Sequence, residues 1–235
     1  MKHQPDIQSI IQSARSRTDK SECDRCCTCC AKGGPALHLE DLELINSGKL
    51  HGRFLYTIRA GEPAEDNVKG GLIFTDTDII KIKTKENGDA CLFVDFNKGQ
   101  CSIYENRPLE CRALKCWDTR EIEAIYTVER LTRKDVVGHI AGLWDLIEEH
   151  QEKCSFTDIK QIIDSHPEKL EGDALQSLLE IVQYDISIRK LVLEKTDTDS
   201  NLLPFLFGMP LQSILAKFGI QFKLKQDLTA DHETD

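Results

Sequence analysis

The pattern of apolar positions divides the chain into two parts. Beyond residue 130, apolar residues recur at steps of three and four, which is the spacing of an amphipathic helix. The predicted helices lie within residues 136–147, 159–163, 175–194 and 211–218, and an apolar segment at 201–208 predicts a buried connector. We expect these apolar stripes to form the core of a helical bundle.

The first part of the chain has shorter and more mixed patterns. Helices are predicted at residues 5–16, at residues 38–45 and after Pro108, because proline suits the first turn of a helix. Strand-like runs cover residues 72–74, 79–82, 91–96 and 100–104, and the last two flank the turn Asn97-Lys98-Gly99, which predicts a β-hairpin. The expected fold is α+β and mainly α, with a small hairpin module packed on the C-terminal bundle.

Composition and charge narrow the class of protein. The chain has 235 residues, of which 40% are hydrophobic and 30% charged, as is usual for a globular protein. A net charge of −10 repels phosphate backbones, so we expect no nucleic-acid partner. The first residues lack the apolar stretch of a secretory signal, and no apolar run reaches the roughly 18 residues of a membrane helix. We therefore expect no membrane association and a cytoplasmic location.

Ten cysteines dominate the candidate chemistry, and nine of them lie between residues 23 and 116. The first group has five members: Cys23, Cys26, Cys27, Cys29 and Cys30. Thiolates so closely spaced are soft ligands that suit iron, zinc or copper(I), and two-residue gaps let consecutive sulfurs converge on one centre. Because a cytoplasmic location disfavours a disulfide framework, the run predicts a metal site.

A second cysteine group comprises Cys91, Cys101, Cys111 and Cys116. The predicted hairpin places the first two near its base on paired strands, and the helix after Pro108 places the other two on it or just past it. Four thiolates are enough for a tetrahedral zinc or a cubane cluster. Nine thiolates therefore allow two metal centres or one multinuclear cluster.

The two groups together resemble a known family. The resemblance rests on Cys23-x-x-Cys26-x-x-Cys29-Cys30, on Cys91-Leu-Phe, and on Cys101-x-Ile-Tyr-x-x-Arg-Pro-x-x-Cys111-Arg. This combination is similar to the YkgJ-like CxxCxxCC cysteine-cluster family over roughly residues 20–118. The resemblance implies metal binding, with zinc or iron chelation as the suggested role and frequent assignment as an iron–sulfur oxidoreductase. Cys27 is an extra cysteine where the family pattern accepts any residue.

The predicted metal ligands are Cys23, Cys26, Cys29, Cys30, Cys91, Cys101, Cys111 and Cys116, with Cys27 as a further candidate. His38 and His51 lie near the first group and are weaker candidates, since cysteines are plentiful. The remaining cysteine, Cys154, is interpreted as a buried apolar residue.

Three residues beside the second group are predicted to contact a cofactor. Arg107 and Arg112 flank Cys111, where they could offset the charge of a thiolate cluster or bind an anionic substrate. The alternative is that Arg107 only pairs with a neighbour such as Glu105. Tyr104 could cap the site or donate a hydrogen bond to sulfur, or it could be an ordinary strand aromatic.

The function hypothesis is an iron–sulfur cluster protein acting in electron transfer or in a redox or group-transfer reaction, with an unidentified redox or protein partner. Crowding favours iron–sulfur over zinc, because four zinc thiolates do not need nine cysteines. A structural zinc module with a partner-binding helical half is the alternative. A protein lysine N-methylase-like modifier is a third, because the flagellin lysine N-methylases carry the same cluster domain, although the chain shows no usual glycine-rich methyl-donor loop. The predicted regions are a metal module at 1–120, a helical region at 121–225 and an acidic tail at 226–235.

Overall fold

A computed structural model describes residues 6–14, 23–66, 68–86, 88–166 and 170–220, so the predicted acidic tail lies outside the described residues. Helices predominate over short strands, which confirms the α+β, mainly α class. The α-helices are α1 (Ile7–Ala14), α2 (Leu42–Asn46), α3 (Leu109–Ala113), α4 (Arg120–Ile125), α5 (Arg133–Val137), α6 (Ala141–Lys153), α7 (Phe156–Asp164), α8 (Gly172–Lys195), α9 (Leu203–Phe207) and α10 (Leu211–Lys217). Short 3₁₀ helices cover Cys30–Lys32, Leu39–Asp41, Gly52–Phe54, Tyr104–Asn106 and Ser200–Leu202.

The strands form three separate antiparallel pairs. They are β1 (Leu55–Ile58), β2 (Pro63–Glu65), β3 (Leu72–Phe74), β4 (Ile79–Ile82), β5 (Val94–Asp95) and β6 (Gln100–Cys101). β1 pairs with β4, β2 with β3, and β5 with β6. The last pair is the predicted hairpin in a shorter form, whereas β1 and β2 are not among the predicted strands.

One core joins the cysteine-rich part to the helices. Leu37 and Ile80 from the first part pack in the same buried cluster as Ile147 and Phe207 from the second. The connector at 201–208 is buried as predicted from Phe205 to Gly208 and at Leu203, whereas Asn201 is exposed, and it supplies α9 to this core. The division of the chain at residue 120 stays a prediction.

The stripe at 136–147 is two helices rather than one. α5 begins with a capping box, in which Thr132 accepts from the Asp135 amide and Asp135 accepts from the Thr132 amide. It ends at Val137, and an added Cβ at the following residue, Gly138, would lie 2.3 Å from the carbonyl oxygen of Lys134. The chain then turns into α6, so the apolar spacing continues across a break that the stripe does not reveal.

A buried ion pair fixes the sheet against the connector. Arg133 donates from Nε and Nη2 to the two carboxylate oxygens of Asp78, at 2.6 and 2.9 Å. Its Nη1 donates to the carbonyl of Leu206 at 2.8 Å. Paired and hydrogen-bonded charges of this kind are tolerated in a core. Within the described residues, no helix is both long enough and apolar enough to cross a membrane.

Candidate metal centre

A cavity of about 540 Å³ lies between the first cysteine loop, the hairpin and α3. All nine predicted ligands line it: Cys23, Cys26, Cys27, Cys29, Cys30, Cys91, Cys101, Cys111 and Cys116. Tyr104, Arg107 and Arg112 line it as well. The structure therefore brings two groups that are far apart in sequence to one place.

The first cysteine loop is tightly folded. Arg25 and Cys27 have φ values of 54° and 58°, a left-handed backbone that reverses the chain between neighbouring cysteines. The Cys27 thiol donates to the Arg25 carbonyl at 3.5 Å, and Cys27 is buried. The five cysteines of this loop all line the one cavity, although only Cys30 belongs to a regular element, the short 3₁₀ helix Cys30–Lys32.

The end of this loop docks directly on β4. An added Cβ at Gly34 would lie 2.2 Å from the Ile82 carbonyl oxygen, so the close approach of the two backbones requires glycine. The Ile82 amide donates to the Pro35 carbonyl at 3.1 Å. The Cys91 amide donates to the Cys30 carbonyl at 2.7 Å, which ties the two cysteine groups together.

The second group sits on the hairpin and α3. Cys101 pairs with Val94 across the hairpin, while Cys91 lies before it and forms a bridge with Thr84. Cys91 and Cys101 are thus close to the hairpin base but are not paired with each other. Cys111 lies within α3, and Cys116 follows the helix.

Electrostatics differentiates the thiols. The thiol of Cys30 lies 3.9 Å from the sulfur of Cys29. Donation from Cys30 lowers the pKa of Cys29 to about 6, and Arg107 adds to this lowering. The same contact raises the pKa of Cys30, while burial raises the pKa values of Cys91 and Cys111. Loss of the proton is therefore favoured at Cys29 and opposed at Cys30, Cys91 and Cys111, and metal binding takes the deprotonated form.

Tyr104 anchors a cationic wall. Its ring lies 3.7 Å from the guanidinium of Arg107 and 4.3 Å from that of Arg25. Arg107 also donates from Nε to the Tyr104 carbonyl at 2.9 Å, rather than pairing with Glu105. Tyr104 belongs to a 3₁₀ turn, so its interpretation as a strand aromatic is wrong, because the strand ends at Cys101. Arg112 pairs with Glu40 at 2.6 Å.

A buried polar group behind the cavity was missed by sequence reasoning. Asp41 is 1% exposed, and its carboxylate accepts from the Leu109 amide at 2.8 Å and from the His38 amide at 3.0 Å. It thereby caps the start of α3, the helix that carries Cys111. His38 is fully buried, and its Nδ1 lies 2.7 Å from the Val128 carbonyl oxygen. His38 and His51 both lie outside the cavity lining.

A different group is the most compact set of potential metal ligands among the described residues. Ligand atoms of His150, Cys154 and Asp185 lie within 4.8 Å of one another. Asp185, however, already accepts from His150 Nε2 at 2.8 Å, from Arg189 Nε at 2.9 Å and from the Leu211 amide at 3.0 Å. The guanidinium of Arg189 thus supplies the positive charge that Asp185 pairs with. The network joins α6, α8 and the start of α10.

Comparison with known proteins agrees with the geometry. Residues 22–128 match the model of the family CxxCxxCC, described as "Putative zinc- or iron-chelating domain". The matched region includes every cysteine of the cavity and covers somewhat less than half of the chain. Searches of curated proteins and of solved structures each found no match. The match to this family model supports metal binding and leaves the choice of metal open.

Proposed function

We propose that this chain is an iron–sulfur protein of the cytoplasm that transfers electrons, or reduces or oxidises a bound substrate, at the cysteine-lined cavity. The observation that carries the proposal is the convergence of nine thiols from three separate segments on one cavity. A structural zinc site is complete with four ligands. The additional cysteines are accounted for by a larger centre or by more than one centre.

The spacing of the sulfurs supports the same choice. Four thiolates on one zinc lie about 3.8 Å apart, given Zn–S bonds of about 2.3 Å in a tetrahedron. Among the described residues, no three cavity sulfurs lie within 4.8 Å of one another. In a cubane [4Fe–4S] cluster each thiolate binds a different iron, so the thiolates stand farther apart.

The donor set and its surroundings fit such a group. The nine thiols are candidates to hold it, and the guanidinium groups of Arg107 and Arg25 lie where they would offset thiolate charge. Hydrogen bonds, neighbouring charges and exposure tune the potential of such centres. Once bound, an iron–sulfur cluster supplies reversible one-electron chemistry.

Access from the surface supports an electron-transfer role. Cys23, Cys26, Cys29 and Cys116 are exposed, whereas Cys27 and Cys91 are buried. The cavity therefore has a buried floor and an open edge. A redox partner docking at the open edge would come close to the ligands without any rearrangement of the core.

The proposal is tested by anaerobic purification followed by absorption spectroscopy. We expect a brown protein with a broad band near about 400 nm, as thiolate-bound iron–sulfur centres give. A matched control is Cys154→Ala, which removes a cysteine outside the cavity and should keep the band. A colourless protein that carries zinc would refute the iron–sulfur assignment and favour the structural zinc module.

A further inference from the structure

The wall of the cysteine-lined cavity is strongly cationic. Among the described residues that line it, six have positively charged side chains and one, Glu110, has a carboxylate, although the whole chain has a net charge of −10. The six cations are Arg25, Lys32, Lys81, Arg107, Arg112 and Lys115. A local excess of this sign in an acidic protein attracts anions to the cavity.

Two of these cations already have partners. Arg112 donates to Glu40 at 2.6 Å, and Lys115 is paired with Glu121. The one carboxylate among the described wall residues, that of Glu110, accepts from the Ala36 amide at 2.7 Å and lies 3.4 Å from His38 Nε2. It also acts electrostatically on Lys81 and offsets part of the positive charge. The excess charge inside the cavity therefore comes mainly from the remaining four side chains.

Lys81 is the most unusual of these four. It lies in β4 between the buried residues Ile80 and Ile82, and its stem is half-buried. It pairs in register with Tyr56 and forms a bridge with Ala36, so its backbone is fixed on both sides. Its ammonium group has no hydrogen-bond acceptor among the residues that the structure describes. A rigid strand thus holds at the cavity wall an amine whose donors make no hydrogen bond with the described residues and whose nearby wall carboxylate is Glu110.

Arg107 offers a second free donor group. Its Nε is used by the Tyr104 carbonyl, and its guanidinium is stacked on the Tyr104 ring. The terminal nitrogens make no hydrogen bond within the described part of the chain. Stacking fixes the plane of the guanidinium, so less conformational freedom is lost when it binds an oxyanion in bidentate fashion.

We propose that the cavity binds, beside the metal centre, a small molecule bearing a carboxylate or phosphate group, which Lys81 and Arg107 hold. The inference deepens the proposed function, on which it rests, by naming the chemical class of the ligand. A volume of about 540 Å³ falls within the range of about 300–1,000 Å³ of small-molecule sites. The exposed edge gives such a ligand its path of entry.

The test is equilibrium dialysis of the anaerobically purified protein against radiolabelled inorganic phosphate and, separately, radiolabelled succinate. Saturable binding near one equivalent of either probe is expected, and the probe that binds identifies the oxyanion. Lys81→Met and Arg107→Gln should each weaken binding at least about tenfold, as the loss of one charge-assisted hydrogen bond predicts. Lys98→Gln is the matched control, because it removes one exposed charge in the hairpin turn, outside the cavity lining, and should bind like the wild type.

Metal and sulfide are assayed on the same samples, which separates this inference from the proposed function. Oxyanion binding by a protein that holds only zinc would support the proposed oxyanion site and refute the iron–sulfur assignment. No saturable binding of either probe by metal-loaded wild type would overturn the site, and the cations would then serve only to offset cluster charge. If the variants lose metal, the site is tested instead in the wild type, by measuring how fast its lysines are acylated with and without the bound probe. The bound probe should protect Lys81 but not Lys98, and equal labelling of Lys81 with and without probe contradicts the proposal.

Discussion

The backbone amide of Cys91 donates a 2.7 Å hydrogen bond to the carbonyl of Cys30. This contact joins the last cysteine of the first loop to the first cysteine of the second group. The first loop is docked on β4 a few residues later, so both groups are fixed to the same core. The fold itself therefore positions the cavity. Substitutions that disturb the contacts holding the two cysteine groups in place should lower the metal content.

The first prediction concerns the glycine that lets the loop dock. Gly34→Ala should lower the free energy of unfolding by about 1–3 kcal/mol, as overpacking against a backbone does, because its Cβ would meet the Ile82 carbonyl oxygen at 2.2 Å. It should also lower the metal content. Gly88→Ala is the control, since nothing lies within 4 Å of its added Cβ. Urea unfolding and metal analysis check both, and equal metal content in the two variants would contradict this role.

The second prediction concerns the cap of α3. Asp41→Ala should cost about 2–4 kcal/mol of stability, because it leaves the buried amides of Leu109 and His38 without an acceptor. Asp41→Asn retains one acceptor oxygen and should cost less. We expect the same order in metal retention during dialysis against a chelator. An Asp41→Ala variant as stable as the wild type would contradict the role of Asp41 as the cap of α3.

The third prediction separates the ligands from the remaining cysteine. Cys30→Ser and Cys111→Ser should each lower the metal content, because both side chains line the cavity. Cys154→Ala should keep the metal and lose only stability, since its side chain is fully buried in the helical core. Metal analysis of the three variants shows which cysteines are ligands, and circular dichroism checks that each variant is folded. If a serine variant keeps the full metal content of the wild type, the cysteine that it replaces is not a metal ligand.

The fourth prediction is a pH dependence in the helical core. Burial lowers the pKa of His150 to about 4, with Arg59 and Arg189 adding to the effect. The folded protein therefore binds fewer protons than the unfolded chain between about pH 6.5 and 4, and this contribution to stability falls as the pH falls through that window. Burial raises the pKa of Glu62 to about 7, which acts in the opposite direction over an overlapping range.

A comparison of variants isolates the histidine. His150→Asn should remove the contribution of His150 to stability, which acid weakens in the wild type. The difference in unfolding free energy between wild type and variant should therefore shrink by up to about 3 kcal/mol from pH 7 to 4. Glu62→Gln should change the pH profile with the opposite sign. A wild-type to His150→Asn difference that stays constant across this range would contradict a neutral His150.

Much of the helical fold could be predicted because each helix buries one face. The stripes at 159–163 and 175–194 lie in α7 and α8 for that reason. β1 and β2 were missed because they are short and gain their pairing from strands later in the chain. The break between α5 and α6 falls inside an uninterrupted apolar stripe, so apolar spacing alone does not reveal it.

The cysteines of the site could be predicted by residue type and spacing alone. The surrounding polar groups could not, because their contacts join distant parts of the chain. Asp41 reaches Leu109, and Lys81 enters the cavity from a strand that contains no cysteine. In sequence, both look like ordinary charged residues among apolar neighbours.

The nature of the metal at the cysteine-lined cavity decides whether the protein is an iron–sulfur protein or a zinc protein. The most direct measurement is the content of iron, zinc and acid-labile sulfide per chain in anaerobically purified protein. We predict iron and sulfide in comparable amounts, with little zinc, and their joint loss in Cys111→Ser. Zinc at one or two equivalents without sulfide would contradict the proposed function.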